Sequence, residues 1–526
     1  MATEASQAVE TLSDRDKLLH EIQKRVLWLS INMVDYANTA RPNLSGLKVG
    51  GHQASSSSVV TIMTYLYFEY MRSGDRISVK PHASPVYHAI QYLLGQLPIE
   101  YLTEFRSFRG LQAYPSRTKD VDAVDFSTGS VGFGAVAPAF SALAHQYCQV
   151  HFGDTSPQRF VGLLGDAEMD EGNVWEAVLD QALGSLGNLL WIVDLNRQSL
   201  DRVVPGIRAA QLKALFAESG WQVLEAKYGS VLQYLFASPG GETLRQRIDE
   251  MSNAEYQALI RMPGDSIRTK LVTVDGELNP DITGVVRDIP DSELASVVGN
   301  LGGHDLGELL SVLAQVDEAP EQPTILFAYT IKGWGTPIAG HKDNHGGLMT
   351  KSQMADWQKH MGVAEGEEWE PFATIENPQA LQAALDRVPF FAKGRRRYND
   401  TTLPVPQIEL SSDREISTQM AFGKILDDLS KGDSDLAARI VTMSPDVTGT
   451  TNLGPWVNRR KLFARSPQSD AFIEHRIPST AKWEFTPEGQ HIELGIAEMN
   501  LMLLLGAAGL SHSLFGKRLI PIGTVY

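Results

Sequence analysis

A chain of 526 residues, 43% hydrophobic and 21% charged, has ordinary globular composition and enough length for more than one core, which excludes a disordered or solenoid-repeat protein. Its formal net charge of -17 argues against a general affinity for nucleic acid or anionic membrane, because polyanions are repelled at long range. A single cysteine, Cys148, excludes an intrachain disulfide and reads as a small buried hydrophobe in a reducing compartment.

In chain order, the first 23 residues carry acids where a secretory leader has a basic start, so they read as an exposed amphipathic helix of a soluble, cytoplasmic protein. Two apolar runs, RFVGLLGD ending at Asp166 and NLLWIVDLN ending at Asn196, read as buried strands. Between them EGNVWEAVLDQALGSL has helical spacing, which makes a βαβ unit. A polar excursion around residues 240 to 300 is expected to elaborate the surface before the strand TILFAYT, residues 324 to 330. The fold class is therefore α/β, with mostly parallel sheets flanked by helices. KGRRRYNDTTLPVPQIE combines charge and proline without apolar periodicity and marks a linker. The expected divisions are 1–395, a linker at 396–410, and a second unit at 411–526. In that unit ARIVTMSPD is a strand leading into a loop at Asp446, and HIELGIAEMNLMLLLGAAGLSHS is a short strand and turn followed by a buried helix. The run Leu501 to Leu510 is too short to span a bilayer. The last segment, RLIPIGTVY, reads as a strand still lacking sheet neighbours, so the second unit is expected to be incomplete.

Chemistry concentrates at Gly165-Asp166-Ala167-Glu168 and at Asn196, thirty residues beyond Asp166. Both polar groups fall at the carboxyl ends of successive parallel strands and so face one crevice. A magnesium ion takes hard oxygen ligands in near-octahedral order, which Asp166, Asn196 and the carbonyl of Gln198 can supply. Gly165 is expected to permit a tight turn, and the helix after Glu168 to aim N–H groups at an anion.

The spacing and the surrounding words, LGDAEMDEGNVWEA and VDLNRQSLD, resemble the homodimeric E1 family of 2-oxo acid dehydrogenases, in the transketolase-like group. VGGHQASSSS around His52, KPHASPVYHAIQYLLG around His82, FSTGSVGFGAVAPAF, GGHDLGELL around His304 and TIKGWG around Lys332 extend the resemblance across most of residues 20 to 350. It implies a thiamine-diphosphate-binding fold of two consecutive units: a diphosphate-binding domain, then a partial pyrimidine-binding domain. The implied cofactors are thiamine diphosphate and Mg2+. Ser130, Val131, Gly132, Gly165, Asp166, Ala167, Glu168, Asn196 and Asp446 would hold the cofactor, with Asp166, Asn196 and Gln198 on the metal. His52, His82, Lys332 and either His341 or His345 would serve the active site, and Glu498 in GIAEMN would activate the cofactor's pyrimidine ring. His304 is read as a helix-start residue outside the site.

Two residues depart from the family's pattern: Ala167 stands where glycine is usual, and Asp194 where the first of two asparagines is usual, adding negative charge beside the metal. The implied reaction is oxidative decarboxylation of a 2-oxo acid, pyruvate first, with acyl transfer to a lipoyl group on a partner acyltransferase. A homodimer is implied, in which the glutamate of one subunit serves the diphosphate site of the other. By the resemblance the family's C-terminal domain is expected to be missing, so a complementing polypeptide is an alternative. Transketolase-type ketol transfer and a catalytically silent cofactor-binding subunit are the competing functions.

Overall fold

The computed structural model describes residues 13–43, 46–130, 132–153, 156–198, 209–389, 396–408, 414–479 and 481–525. The first sheet contains β1 (Arg76–Ser78), β2 (Phe160–Gly165), β3 (Leu189–Leu195), β4 (Gln222–Ala226) and β5 (Thr324–Tyr329), in the order β1-β2-β3-β5-β4. Every neighbouring pair is parallel. Parallel strands bury both faces, which explains why β2, β3 and β5 read as unbroken apolar runs. Their carboxyl ends meet at one edge and deliver Lys80, Asp166, Asn196 and Lys332 to it.

The strands expected from sequence at β2, β3 and β5 are present, but two neighbouring expectations change. The helix after β2 spans only Gly172–Val178, preceded by a 3-10 turn at Asp166–Asp170. Of the amino-terminal stretch, residues 1–12 lie outside the described residues; from Asp14 to Gln23 helix α1 (Asp14–Thr39) exposes Arg15, Lys17 and His20 and buries Leu19, Ile22 and Gln23, and beyond Gln23 positions Val26 to Val34 are all buried, with Trp28 stacked on Trp357. The run VLWLSINMV is apolar on all sides of a helix, so it must be enclosed. The excursion near 240–300 is no surface elaboration. It folds into five short helices whose Leu244, Ile248, Tyr256, Leu259, Ile267 and Leu271 join the main core.

The second sheet contains β6 (Ile440–Pro445), β7 (Leu462–Phe463), β8 (Phe485–Thr486), β9 (His491–Leu494) and β10 (Ile520–Gly523), also all parallel, in the order β8-β7-β9-β6-β10. The buried helix expected after β9 is α3 (Glu498–Gly509), which packs on α2 (Phe133–Phe152) through Leu501, Leu504 and Ala508. Tertiary contacts therefore join the two units directly. The beginning of the expected linker adds to the joint. Arg396 pairs with buried Asp125, which also receives the Arg76 guanidinium at 3.0 Å, while Arg76 donates to the carbonyl of Leu514 at 2.6 Å. Cys148 is buried as expected. Among the described residues, no helix is long and apolar enough to cross a membrane.

Candidate functional site

Asp194, the last-but-one residue of β3, is fully buried yet ionised by its surroundings. Its Oδ2 accepts from Lys80 Nζ, from Ser58 Oγ at 2.8 Å and from Asn196 Nδ2 at 3.1 Å, and its Oδ1 accepts from Thr330 Oγ1. Burial alone would raise its pKa; the Lys80 ammonium and these donors outweigh burial and hold the carboxyl below the ordinary aspartate value. The negative charge expected beside the metal is thus neutralised within the chain. It serves as the hub that aligns Lys80, Asn196 and Thr330 at the sheet edge.

Asp166, one strand over, has the opposite environment. One carboxylate oxygen accepts the N–H of Arg197 at 2.7 Å. Lost hydration, then the nearby Asp194 charge, push its pKa up to about 7. A cation at its other oxygen would favour the charged form. Asn196 Oδ1 accepts the N–H of Gln198 at 3.0 Å and retains a second lone pair. The free oxygen of Asp166 and the amide oxygen of Asn196 are hard donors at adjoining strand ends, so the donor set fits Mg2+. Gln198 is buried, with its side chain bonded to Gln257.

The turn after β2 works differently from the expectation. Gly165 sits at φ -85 with ψ 151, and a Cβ there would come no closer than 3.8 Å to Glu168 Oε1, so no tight turn demands glycine. Ala167 lies within the 3-10 turn, outside the left-handed region, and its methyl costs no strain. Glu168 spends both oxygens on the backbone, accepting from Gly165 N–H at 3.0 Å and Gly132 N–H at 3.1 Å. It couples the strand end to the glycine-rich loop. Gly132 is the residue that must lack a side chain: at φ +82, its Cβ would meet Asn173 Oδ1 at 2.7 Å. Ser130 is exposed, and Val131 lies outside the described residues.

Around the corner, three imidazoles converge. Ring centroids are 3.8 Å apart for His52 and His82, 4.6 Å for His52 and His345, and 5.5 Å for His82 and His345. The Gly50-Gly51 pair brings His52 in: a Cβ at Gly51, φ +109, would strike Val34 at 2.8 Å. Lys332 Nζ lies 3.1 Å from His345 Nδ1, and the Lys332 carbonyl accepts from Asn344 Nδ2 at 2.9 Å, fixing the loop that follows β5. Of the two loop histidines, His345 is the one placed beside His52 and His82. His341 stays on the outer loop, half exposed, 3.8 Å from Asp343. Lost hydration lowers His52, and for His82 the same loss, reinforced by His52, Lys80, His345 and Lys332, lowers it to about 2. Both rings are neutral at physiological pH. The cleft beside them is lined by Ser84, Phe105, Arg106 and Tyr114, with the Tyr114 ring 5.8 Å from that of His82.

Two supporting residues were not legible as such. Lys80 was hidden inside the KPH word around His82. His304, set aside as a helix-start residue, is buried, accepts the Ile331 N–H at 2.7 Å and stacks on Trp334 at 4.7 Å. It thereby holds the strand end that carries Thr330 and Lys332. Replacing His304 by Leu leaves a buried N–H without an acceptor, so a loss of about 1–3 kcal/mol is expected in denaturant unfolding; an unchanged midpoint would remove this role.

Glu498 and Asp446 are not gathered with these groups. Glu498 is exposed at the first turn of α3. Asp446 is exposed after β6 at φ +62, with its N–H donated to Glu493 at 2.8 Å.

Residues 69–237 match the family described as the transketolase thiamine diphosphate binding domain. Across 96% of its length the chain is 28% identical to the pyruvate dehydrogenase E1 component of Pseudomonas aeruginosa, covering 59% of that protein. It is 26% identical to the E1 component of Escherichia coli K12 over 97% of this chain, again covering 59% of the relative. The fold matches transketolase from Campylobacter jejuni with a TM-score of 0.63 at 17% identity, covering 97% of this chain and 65% of the other. Transketolase from Leishmania mexicana gives 0.58 at 15%, with 97% and 64% covered. The chain thus has a transketolase-like fold, carries the match to a thiamine diphosphate binding domain over residues 69–237, and is similar to pyruvate dehydrogenase E1 components over most of its length.

Proposed function

We propose that this chain binds thiamine diphosphate and Mg2+ and supplies the diphosphate-side half of an active site for decarboxylation of a 2-oxo acid, pyruvate first. The observation that carries the reading is the pairing of a poorly neutralised Asp166, beside Asn196 at the strand ends, with the converging rings of His52, His82 and His345 around the corner. When bound, thiamine diphosphate supplies an electron sink for the carbon left by decarboxylation. Asp166, Asn196 and the Gln198 carbonyl would hold the metal, which would supply positive charge for the diphosphate. Lys80 fixes Asp194 so that Asn196 keeps its orientation.

The neutral rings of His52 and His82, with His345 beside them, accept or donate hydrogen bonds to the substrate's carbonyl and carboxylate oxygens. Lys332 supplies a positive charge at one side of the cleft. Glu498 is the proton-handling carboxylate for the cofactor's pyrimidine ring, acting on a second copy of the chain. Its placement supports this: Glu498 is exposed and flanked by exposed Ile496, Met499 and Met502, an apolar rim suited to a partner subunit. The chain spans 56–59% of the curated relatives' length, so acyl transfer to a lipoyl-bearing acyltransferase belongs to the same proposal.

Calorimetric titration of thiamine diphosphate with Mg2+ into the chain is expected to show saturable binding. Decarboxylation is then read with pyruvate and an artificial electron acceptor, in parallel with ketose phosphate cleavage. Absence of cofactor binding would overturn the enzyme reading, and cleavage of ketose phosphate in place of pyruvate turnover would favour transketolase chemistry.

A further inference from the structure

We propose that His52, His82 and His345 also form a binding site for a borderline-soft divalent cation, Zn2+ above all, chemically distinct from the oxygen site at Asp166. One ring nitrogen from each histidine can be chosen so that all three lie within 4.8 Å of one another. Tetrahedral zinc with metal–nitrogen bonds of 2.0–2.1 Å spaces its ligands about 3.3 Å apart. Small ring rotations close the difference.

The tautomer of His52 is already set for this role. Its Nδ1 lies 2.8 Å from the carbonyl oxygen of His345, to which it donates, leaving the Nε2 lone pair open. Metal-bound imidazoles characteristically donate their second N–H to a carbonyl or carboxylate. His82 Nδ1 is buried with no hydrogen-bond partner, an orphaned polar atom on a ring whose centroid lies 3.8 Å from that of His52. Three imidazoles leave the fourth position of a tetrahedron open to water or a substrate oxygen, and imidazole selects Zn2+, Co2+ or Ni2+ over Mg2+. The two sites therefore sort their metals by donor type.

One group opposes the cation. The Lys332 ammonium is 3.1 Å from His345 Nδ1 and must swing aside when the metal enters. Its removal should tighten binding. A metal here occupies the cleft that the proposed function assigns to the 2-oxo acid, so Zn2+ competes with substrate. That inhibitory consequence rests on the proposed function, while metal binding itself does not.

The test uses Co2+ as a spectroscopic stand-in and the chain without thiamine diphosphate. Wild type is expected to develop the intense visible bands of a tetrahedral nitrogen-ligated ion, which an octahedral oxygen site does not give. Asp166→Asn should keep the bands, His82→Gln and His345→Gln should weaken binding at least tenfold, and Lys332→Met should strengthen it. In case a histidine variant misfolds, a second measurement on wild type follows acylation of each histidine by diethyl pyrocarbonate, with and without Zn2+. Protection of His52, His82 and His345 supports the site. Absence of the tetrahedral bands in wild type, their survival in both histidine variants, or acylation indifferent to Zn2+ would overturn it, whatever the outcome of the thiamine diphosphate titration.

Discussion

Asp166→Asn is expected to weaken Mg2+-dependent thiamine diphosphate binding by roughly 100-fold or more, and at the same time to stabilise the cofactor-free chain. Both effects come from one feature: the carboxyl is pushed up to about 7 by lost hydration and by Asp194. The folded value lies above the ordinary 3.8, so folding disfavours ionisation of this group. Below about pH 4 the carboxyl is neutral in both states and no penalty arises. As pH rises from about 4 to about 7 the unfolded chain ionises while the folded chain holds its proton, so stability falls across that window and the full penalty stands above pH 7. Asparagine keeps the shape and removes that charge. Thermal unfolding without cofactor should therefore coincide for wild type and variant near pH 4, and diverge toward pH 8 by about 2 °C or more in the variant's favour. Saturating Mg2+ and thiamine diphosphate should reverse the ranking, because only wild type gains from the ligand. A variant no more stable than wild type at pH 8 would show that Asp166 is adequately neutralised without a cation and remove the main physical argument for the metal site.

The parts of the fold legible from sequence are those whose signal is local. β2, β3, β5 and β6 are apolar runs bounded by turn residues, and the structure bounds them within a residue or two of the expectation. β1 escaped because it is only three residues long and begins with Arg76, a residue buried only because Asp125, 49 positions away, neutralises it. The helices between Gly241 and Val298 escaped for another reason. Their Gly241, Gly264 and Pro280 read as loop punctuation, whereas each opens a helix where the first N–H groups have no intrahelical partner.

In the site, Asp166, Asn196, His52 and His82 were legible as motif positions, and the structure brings the histidines together with Lys332. The choice of His345 over His341 was not legible: both lie in one polar loop, and only the bonds of Asn344 and Lys332 decide which turns inward. His304 does precede a helix start, but its support of the strand end was not legible, because its partner is a backbone N–H 27 positions away, which no helix-start pattern announces. Asp194 read as an added charge beside the metal because its compensating cation, Lys80, sits 114 positions earlier.

That last pair yields the largest expected stability effect. Lys80→Met keeps the apolar stem and removes the ammonium, leaving Asp194 fully buried with its charge uncompensated and Asp166 as its neighbour. Breaking one side of a buried ion pair costs about 3–5 kcal/mol, and that loss is expected in urea unfolding at pH 7. The pH dependence has a defined sign. In wild type the Asp194 carboxyl is held below its ordinary value, so the pair's contribution is present above about pH 4 and disappears as pH falls further. The deficit of the variant should therefore shrink on acidification. Lys80→Met combined with Asp194→Asn replaces the ion pair by neutral groups that retain the Ser58, Thr330 and Asn196 neighbours, and should recover most of the loss. Recovery in the double variant with cofactor binding intact would mean that Lys80 acts through Asp194 as a positioning residue. A single variant costing less than about 1 kcal/mol, the range of an exposed pair, would mean that water reaches Asp194 and that Asn196 is held by something other than this hub.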